Sequence, residues 1–247
     1  YSGESGQWFD VKGYVRISSV SIADEFSAGD SVRIAGLSSA DYDYVGYHSI
    51  AAVGKHTPIG AVERGYIVIP GVVKDNGEII VNSNFSISRD APDMDFVIEA
   101  NNRLWGCKYG YVDGKLVNEI YASKLGDFRN WRNYAGISTD SYAASVGTDG
   151  PFTGAVNYGG YPLFFKERCV HKVYGSMPSS FQIQTDMLDG VQDGCGQSLA
   201  IVNEVLYYKA RTGICAYDGS LPQEISQALG DTVYSKAVAG YLGNKYY

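Results

Sequence analysis

Cysteine, histidine and positive charge are all scarce in this chain of 247 residues. There are four cysteines, Cys107, Cys169, Cys195 and Cys215, and none stands in a C-x-x-C pair. Their spacing fits neither a zinc site nor a redox motif, and a domain of this size needs no disulfide framework, so buried free thiols are expected. The three histidines, His48, His56 and His171, fall at no metal-ligand spacing. No Gly-x-Ser-x-Gly, phosphate loop or His-Glu-x-x-His occurs, so the common nucleophile, nucleotide and metalloprotease signatures are missing. Lys and Arg number 20 against 27 Asp and Glu, a net charge of −7. That balance excludes a chain built to coat nucleic acid or anionic lipid. The densest basic cluster, Lys166, Arg168, His171 and Lys172, reads as a solvated strand face. No apolar run approaches the roughly 20 residues that span a bilayer.

Glycine (30) and tyrosine (21) are abundant instead. Gly supplies the positive φ of tight turns, and Tyr suits half-buried strands. Together they indicate many short strands, an all-β chain. Three stretches repeat one pattern. Leu104-Trp105-Gly106-Cys107 leads to Tyr121, Leu163-Phe164-Phe165-Lys166 to Tyr174, and Leu206-Tyr207-Tyr208-Lys209 to Tyr217. The last two copies stand 43 residues apart and the first two 59. An all-strand repeat of roughly 40–45 residues is the mark of β-propeller blades. On this reading Leu104, Leu163 and Leu206 are equivalent, as are Tyr121, Tyr174 and Tyr217.

Residues 1–92 lack that repeat. Strands are expected at Val15-Arg16-Ile17, within Phe26–Gly36, over Tyr47–Val53, over Tyr66–Pro70, and at Ile79–Val81 and Phe85–Ser88. A hairpin turn is expected at Asn76-Gly77. These indicate a small barrel or sandwich. The polar stretch Arg89–Asp95 reads as the boundary, giving a domain over residues 1–92 and a propeller-like repeat region over 93–247 with a partial or complete propeller. Within the latter, Leu221–Gly230 has the spacing of a short helix or 3₁₀ turn. The chain starts at Tyr1 rather than Met and ends on a strand-like Tyr246-Tyr247. The expectation is that both ends were cut from a longer protein and that the repeats continue beyond this piece.

Loop carboxylates are the first candidates for chemistry: Asp90, Asp93, Asp95, Asp140 and Asp149. In turns rich in Gly, Asn and Pro, such residues serve the backbone more often than a substrate. Ser138-Thr139-Asp140 opens like the repeated turn of sialidases but lacks its Gly and Trp. Trp105, Trp131, Tyr207 and Tyr208 are candidates for stacking on sugars. All but Trp131 occupy repeated strand positions and read as core, which leaves Trp131 as the candidate platform. No catalytic, cofactor-binding or metal-binding residue is assigned, no cofactor is expected, and the ligand stays open.

The runs Asn101-Asn102-Arg103-Leu104-Trp105-Gly106, Ile120-Tyr121-Ala122-Ser123 and Gly126-Asp127-Phe128-Arg129-Asn130-Trp131 resemble structural proteins of phages and prophages of Gram-positive gut bacteria. So do Gly150-Pro151-Phe152-Thr153-Gly154 and Phe164-Phe165-Lys166-Glu167. The resemblance covers about residues 93–230 well and 1–92 loosely. It implies a non-enzymatic tail or baseplate component, made in the bacterial cytoplasm and residing in the virion, acting in assembly or host attachment. The implied partners are other tail or baseplate proteins, with self-association and a host-surface glycan as further ones, and neither nucleic acid nor membrane insertion. The alternative reading is a carbohydrate-binding or glycoside-cleaving propeller at a cell or virion surface.

Overall fold

Alternating side chains build the first half of the chain. In Arg64–Pro70, Ile67 and Ile69 are buried and the residues between them are not, and Ser31–Ala35 repeats this with Val32 and Ile34. One buried face per strand requires sheets packed in pairs. The computed structural model describes residues 2–3, 6–10, 14–38, 44–57, 59–70, 81–82, 84–230 and 234–247. The expected Asn76-Gly77 turn lies outside them. The chain is all-β and antiparallel, with no helix longer than the single turn Ile22–Glu25 among the described residues. It divides into two compact units, Tyr1–Ala91 with Arg129–Ala135, and Pro92–Phe128 with Gly136–Tyr247.

The first unit holds two sheets. A five-stranded one runs in the order Ala52–His56, Arg64–Pro70, Tyr14–Ser19, Gly6–Asp10, Val81–Asn82. A four-stranded one runs Ser2–Gly3, Phe85–Ser88, Ser31–Ala35, Gly46–Ser49. Val15, Ile17, Ile67 and Ile69 of the former share one core with Val32, Ile34, Phe85 and Ile87 of the latter. The single strand expected over Tyr47–Val53 is two, one in each sheet. Between them Ile50 turns inward, donating its N–H to the Asp30 carbonyl and accepting one from Gly29. That exchange ends the pairing at Ser31 and Ser49 and sends the chain to the other sheet.

Residues 129–135 also belong to this unit, not to the repeat region as their position suggested. Asn130, Trp131 and Asn133 are buried in it. Asp30, 2% exposed, is the hub. Its carboxylate accepts from the Ser27 N–H (2.9 Å), from Arg89 (3.1 Å) and from Asn130 Nδ2 (3.1 Å).

The second unit is a series of four-stranded antiparallel meanders. The first sheet runs Phe96–Ala100, Arg103–Val112, Lys115–Ala122, Tyr142–Ser145. The second is Gly154–Tyr158, Tyr161–Lys166, Cys169–Tyr174, Gln182–Met187. The third is Ala200–Val202, Val205–Lys209, Ile214–Tyr217, Gln223–Glu224. A hairpin, Tyr241–Leu242 with Lys245–Tyr246, follows. The segment Leu221–Gly230 supplies the last strand of the third sheet and then a 3₁₀ turn, Gln227–Leu229.

One turn recurs between the first and second strands of every sheet. Asn101-Asn102, Gly159-Gly160, Asn203-Glu204 and Gly243-Asn244 all have positive φ at both positions. Each joins a directly paired flank: Ala100 to Arg103, Tyr158 to Tyr161, Val202 to Val205, Leu242 to Lys245. This is the type I′ hairpin, whose twist matches that of the strands it joins.

These turns correct the expected register. They stand 58, 44 and 40 residues apart, so the last two complete sheets align at 44 residues rather than 43. Leu104, Leu163 and Leu206 all lie in second strands and Tyr121, Tyr174 and Tyr217 in third strands; Leu104 and Leu206 are equivalent, each three residues past the start of its turn, but Leu163 is one residue out of register and the three tyrosines are not equivalent. Leu163 and Phe165 face the third sheet, where Phe165 meets Tyr208 at 5.2 Å between ring centroids. Leu206 and Tyr208 face back toward the second. A shift of one residue reverses the face. The equivalent of Leu163 is Tyr207, and Trp105 takes that place in the first sheet. Trp105, Cys107 and Ile120 pack on Phe164 and Val173 of the second sheet. The second sheet is therefore buried on both faces, and Leu163, Phe164, Phe165 and Lys166 are all buried.

The wider first spacing has a structural cause. The hairpin around Asp113-Gly114 is longer than its counterparts, and residues 123–141 form a long connection before the fourth strand. That connection delivers residues 129–135 to the first unit. Arg103, buried directly after the recurrent turn, secures its two ends by donating to the carbonyls of Ser123 (2.7 Å), Ser138 (3.0 Å) and Asp140.

Candidate functional site

Four of the five candidate loop carboxylates, Asp90, Asp93, Asp95 and Asp140, bind the backbone or a cation. Asp140 Oδ2 accepts the N–H groups of Gly136 (2.6 Å) and Ile137 (3.0 Å), closing the turn before its strand. Asp93 and Asp95 both hold the Lys108 ammonium at 2.9 Å. Asp90 accepts from Ser88 at 2.7 Å and lies 3.6 Å from Arg33. Asp149 is exposed in its turn. Trp131, the candidate sugar platform, is 4% exposed and cannot stack on a ligand. Trp105 and Tyr208 are buried as expected, and Tyr207 stacks on Tyr246.

All four cysteines are free and buried, as their spacing implied. His48 meets the Tyr44 carbonyl and His56 meets Arg16. Among the described residues no three His, Cys, Asp or Glu side chains converge where a metal could bind, and no helix is long and apolar enough to cross a membrane.

The basic cluster expected on an exposed strand is partly internal. Lys166 is 2% exposed and His171 fully buried. Strand pairing places Lys166 opposite Cys169. The Lys166 ammonium donates to Asn118 Oδ1 (2.9 Å) and to the Thr148 carbonyl (2.7 Å). It also sits over the rings of Phe152 (4.6 Å) and Tyr109 (4.9 Å). Both ring nitrogens of His171 meet threonine hydroxyls, Thr148 and Thr185, at 2.8 Å. Cys169 Sγ is 3.8 Å from His171 Nε2.

Burial dominates the electrostatics. It lowers the Lys166 pKa and raises that of Cys169. Burial, reinforced by the Lys166 charge, lowers His171 to about 4. The ground state at neutral pH is thus a thiol beside a neutral imidazole. A nucleophilic Cys–His pair needs the reverse, a thiolate stabilised by imidazolium. The cluster is a hydrogen-bonded polar core of the second sheet. The three apolar neighbours of Lys166 in Leu163–Phe165 gave no sign of it, because a buried Lys looks like an exposed one in sequence.

A cavity of the second unit lies against the third sheet. Its 540 Å³ is lined by Ile214 and Glu224 of the third and fourth strands and by Gly213 and Ser226 next to them. Ala237, Val238, Tyr246 and Tyr247 line it as well. Among the described residues the charged side chains that line it are Lys209, Arg211, Lys236 and Glu224. Tyr246 anchors the hairpin beside it, donating its hydroxyl to the Ser198 carbonyl at 2.9 Å, and burial raises its pKa to about 12. Ala239 N–H adds a bond to the Gln197 carbonyl at 3.0 Å. Its lining is mixed in character, apolar at Ile214, Ala237 and Val238 and basic at Lys209, Arg211 and Lys236. Sequence reasoning missed it, since its walls come from residues 209–230 and 234–247, which only folding brings together. No protein-family model matches the chain, and no curated protein matches it.

Proposed function

We propose that the chain is a structural, non-catalytic module of a phage or prophage tail or baseplate. In this reading the first unit is a small β-sandwich and the meanders of the second are propeller-like blades. The observation that carries the architectural part is the recurrent type I′ turn, which opens three consecutive four-stranded sheets and one further hairpin. Stacked sheets of this kind are scaffolds that present edges and loops, and the fold alone names no chemistry. The carboxylates at Asp93, Asp95 and Asp140 and the polar core at Lys166 and His171 are engaged in holding the structure, which supports a non-catalytic role. The tail assignment rests on the resemblance of residues 93–230 to phage and prophage structural proteins. It implies residence in the virion and contact with other tail or baseplate proteins.

Quantitative mass spectrometry of purified particles from a lysogen carrying a tagged copy tests this. The chain should be present at a fixed number per tail, and deleting its gene should abolish assembled tails or host adsorption. Its absence from purified particles would refute the tail role. Hydrolysis of aryl glycosides or wall fragments that disappears in Asp140→Asn or Asp149→Asn would refute the non-catalytic one.

A further inference from the structure

Five Asp-Gly pairs occur in the chain, at Asp113, Asp149, Asp189, Asp193 and Asp218. This dipeptide is chemically labile, because glycine puts no side chain between its own nitrogen and the Asp carboxyl. All five lie among the described residues, and Asp113 alone has a positive φ, 49°. It opens the two-residue turn Asp113-Gly114, with Gly114 at 77° and Val112 paired directly with Lys115. That is again the type I′ geometry, here between the second and third strands of the first sheet.

Both reacting groups are free in this turn. Asp113 and Gly114 are exposed, and among the described residues the Asp113 carboxylate makes no hydrogen bond or ion pair. The Gly114 N–H meets no acceptor there either, and the space about its Cα is open to 4 Å. Two of the other pairs are restrained. Asp218 Oδ1 accepts the Ser220 N–H (3.1 Å) and hydroxyl (2.6 Å), and the Gly190 N–H is engaged by the Glu167 carbonyl at 3.0 Å. Handedness sets Asp113 further apart. An L-residue at positive φ crowds its Cβ against the following carbonyl, whereas a D-residue fits there without strain.

We propose that Asp113 is a site of spontaneous covalent modification, which the hairpin directs toward D-aspartate. With the side chain protonated, the Gly114 nitrogen bonds to Asp113 Cγ. The Cγ hydroxyl and the nitrogen's proton leave as water, and a five-membered imide ring closes. On the ring, the Cα–H beside the imide carbonyl is acidic enough to pass to water and return on the opposite side. Water then opens the ring. Opening at Cγ restores the ordinary linkage, and opening at the main-chain carbonyl carries the chain through the side chain. No oxidant or cofactor takes part. The turn discriminates among the products. The side-chain linkage adds a backbone atom and disturbs the pairing of Val112 with Lys115, and the L form returns to its crowded φ. The ordinary linkage with a D residue avoids both.

Incubating the whole chain at neutral pH in water enriched in oxygen-18 tests this, because each ring opening leaves one heavy oxygen behind. Trypsin, cutting after Lys108 and Lys115, releases residues 109–115 as one peptide. Chromatography against synthetic L and D standards of both linkages identifies the product. Label should enter at Asp113 about tenfold faster than at Asp218, whose carboxylate is held by two hydrogen bonds. Among labelled molecules of ordinary linkage, the D:L ratio should be about threefold higher than in the free peptide of residues 109–115 treated alike. Asp113→Asn should lose ammonia through the same ring and reach the same D-enriched product, and Asp113→Glu, one carbon too long for that ring, should take up almost no label at this position. Absence of label at Asp113, equal labelling of Asp218, or a D:L ratio no higher than the free peptide's overturns the proposal. None of these readouts involves a virion, so they stand or fall apart from the tail assignment.

Discussion

Protonating His171 should unfold the second unit's middle sheet from within. The ring is fully buried between two threonine hydroxyls, and its pKa falls from 6.5 to about 4. Between those values the unfolded chain binds a proton that the folded chain refuses, so stability rises with pH across that window. Above pH 6.5 the contribution is intact. As pH falls toward 4 it is lost, and below 4 no more is lost on this account. At about 1.4 kcal/mol per pH unit the full loss is about 3 kcal/mol, with about 2 kcal/mol gone by pH 5. Carboxylates titrate in the same region, so the variant His171→Gln is the reference that isolates the histidine. At pH 7.5 the variant should be less stable by about 2 kcal/mol, having lost ring packing and part of the hydrogen bonding. By pH 4.5 that deficit should vanish or reverse, because Gln carries no proton to reject. Urea unfolding at each pH, followed through the amide signals of Val170 and Val173 in the same strand, measures the difference. A gap that stays constant from pH 7.5 to 4.5 would refute the assignment of a neutral, proton-rejecting histidine.

Three further outcomes follow from named contacts. Lys166→Met should raise the His171 pKa, read from its ring proton shifts, because the ammonium is the second cause of the depression. Glu204→Gly should stabilise the second unit by about 1 kcal/mol in urea unfolding, since Glu204 holds φ of 67° in a turn position that favours Gly. Asp30→Ala should cost the first unit about 3–5 kcal/mol by stranding Arg89, whose side chain is 12% exposed. It should also speed tryptic cleavage at Arg129 and Arg132, because Asn130 loses its anchor.

The strands were legible where burial is one-sided. Ser31–Ala35 alternates in sequence because only one face meets the core. The all-β character and the three repeated strand pairs could be read for the same reason: turns rich in Gly and Asn punctuate them. The split of Tyr47–Val53 into two strands could not, because the break comes from a bond between Ile50 and the distant Asp30 carbonyl rather than from a local breaker residue.

Register failed for a different reason, and it explains the candidate site as well. In a sheet covered on both faces, neighbouring positions are equally apolar, so Leu163-Phe164-Phe165 offers no alternation by which to choose 43 residues over 44. The turns do carry that choice, since only Asn, Gly and similar residues hold two positive φ angles in succession. Aligned on Asn101-Asn102, Gly159-Gly160, Asn203-Glu204 and Gly243-Asn244, the sequence yields the fourth copy, which the apolar strands concealed. The excess in the first spacing then marks an insertion, and its residues 129–135 serve another core. The same two-sided burial hides the polar core, because Lys166 and His171 sit in strands covered on both faces, where the sequence offers no alternation to set them apart.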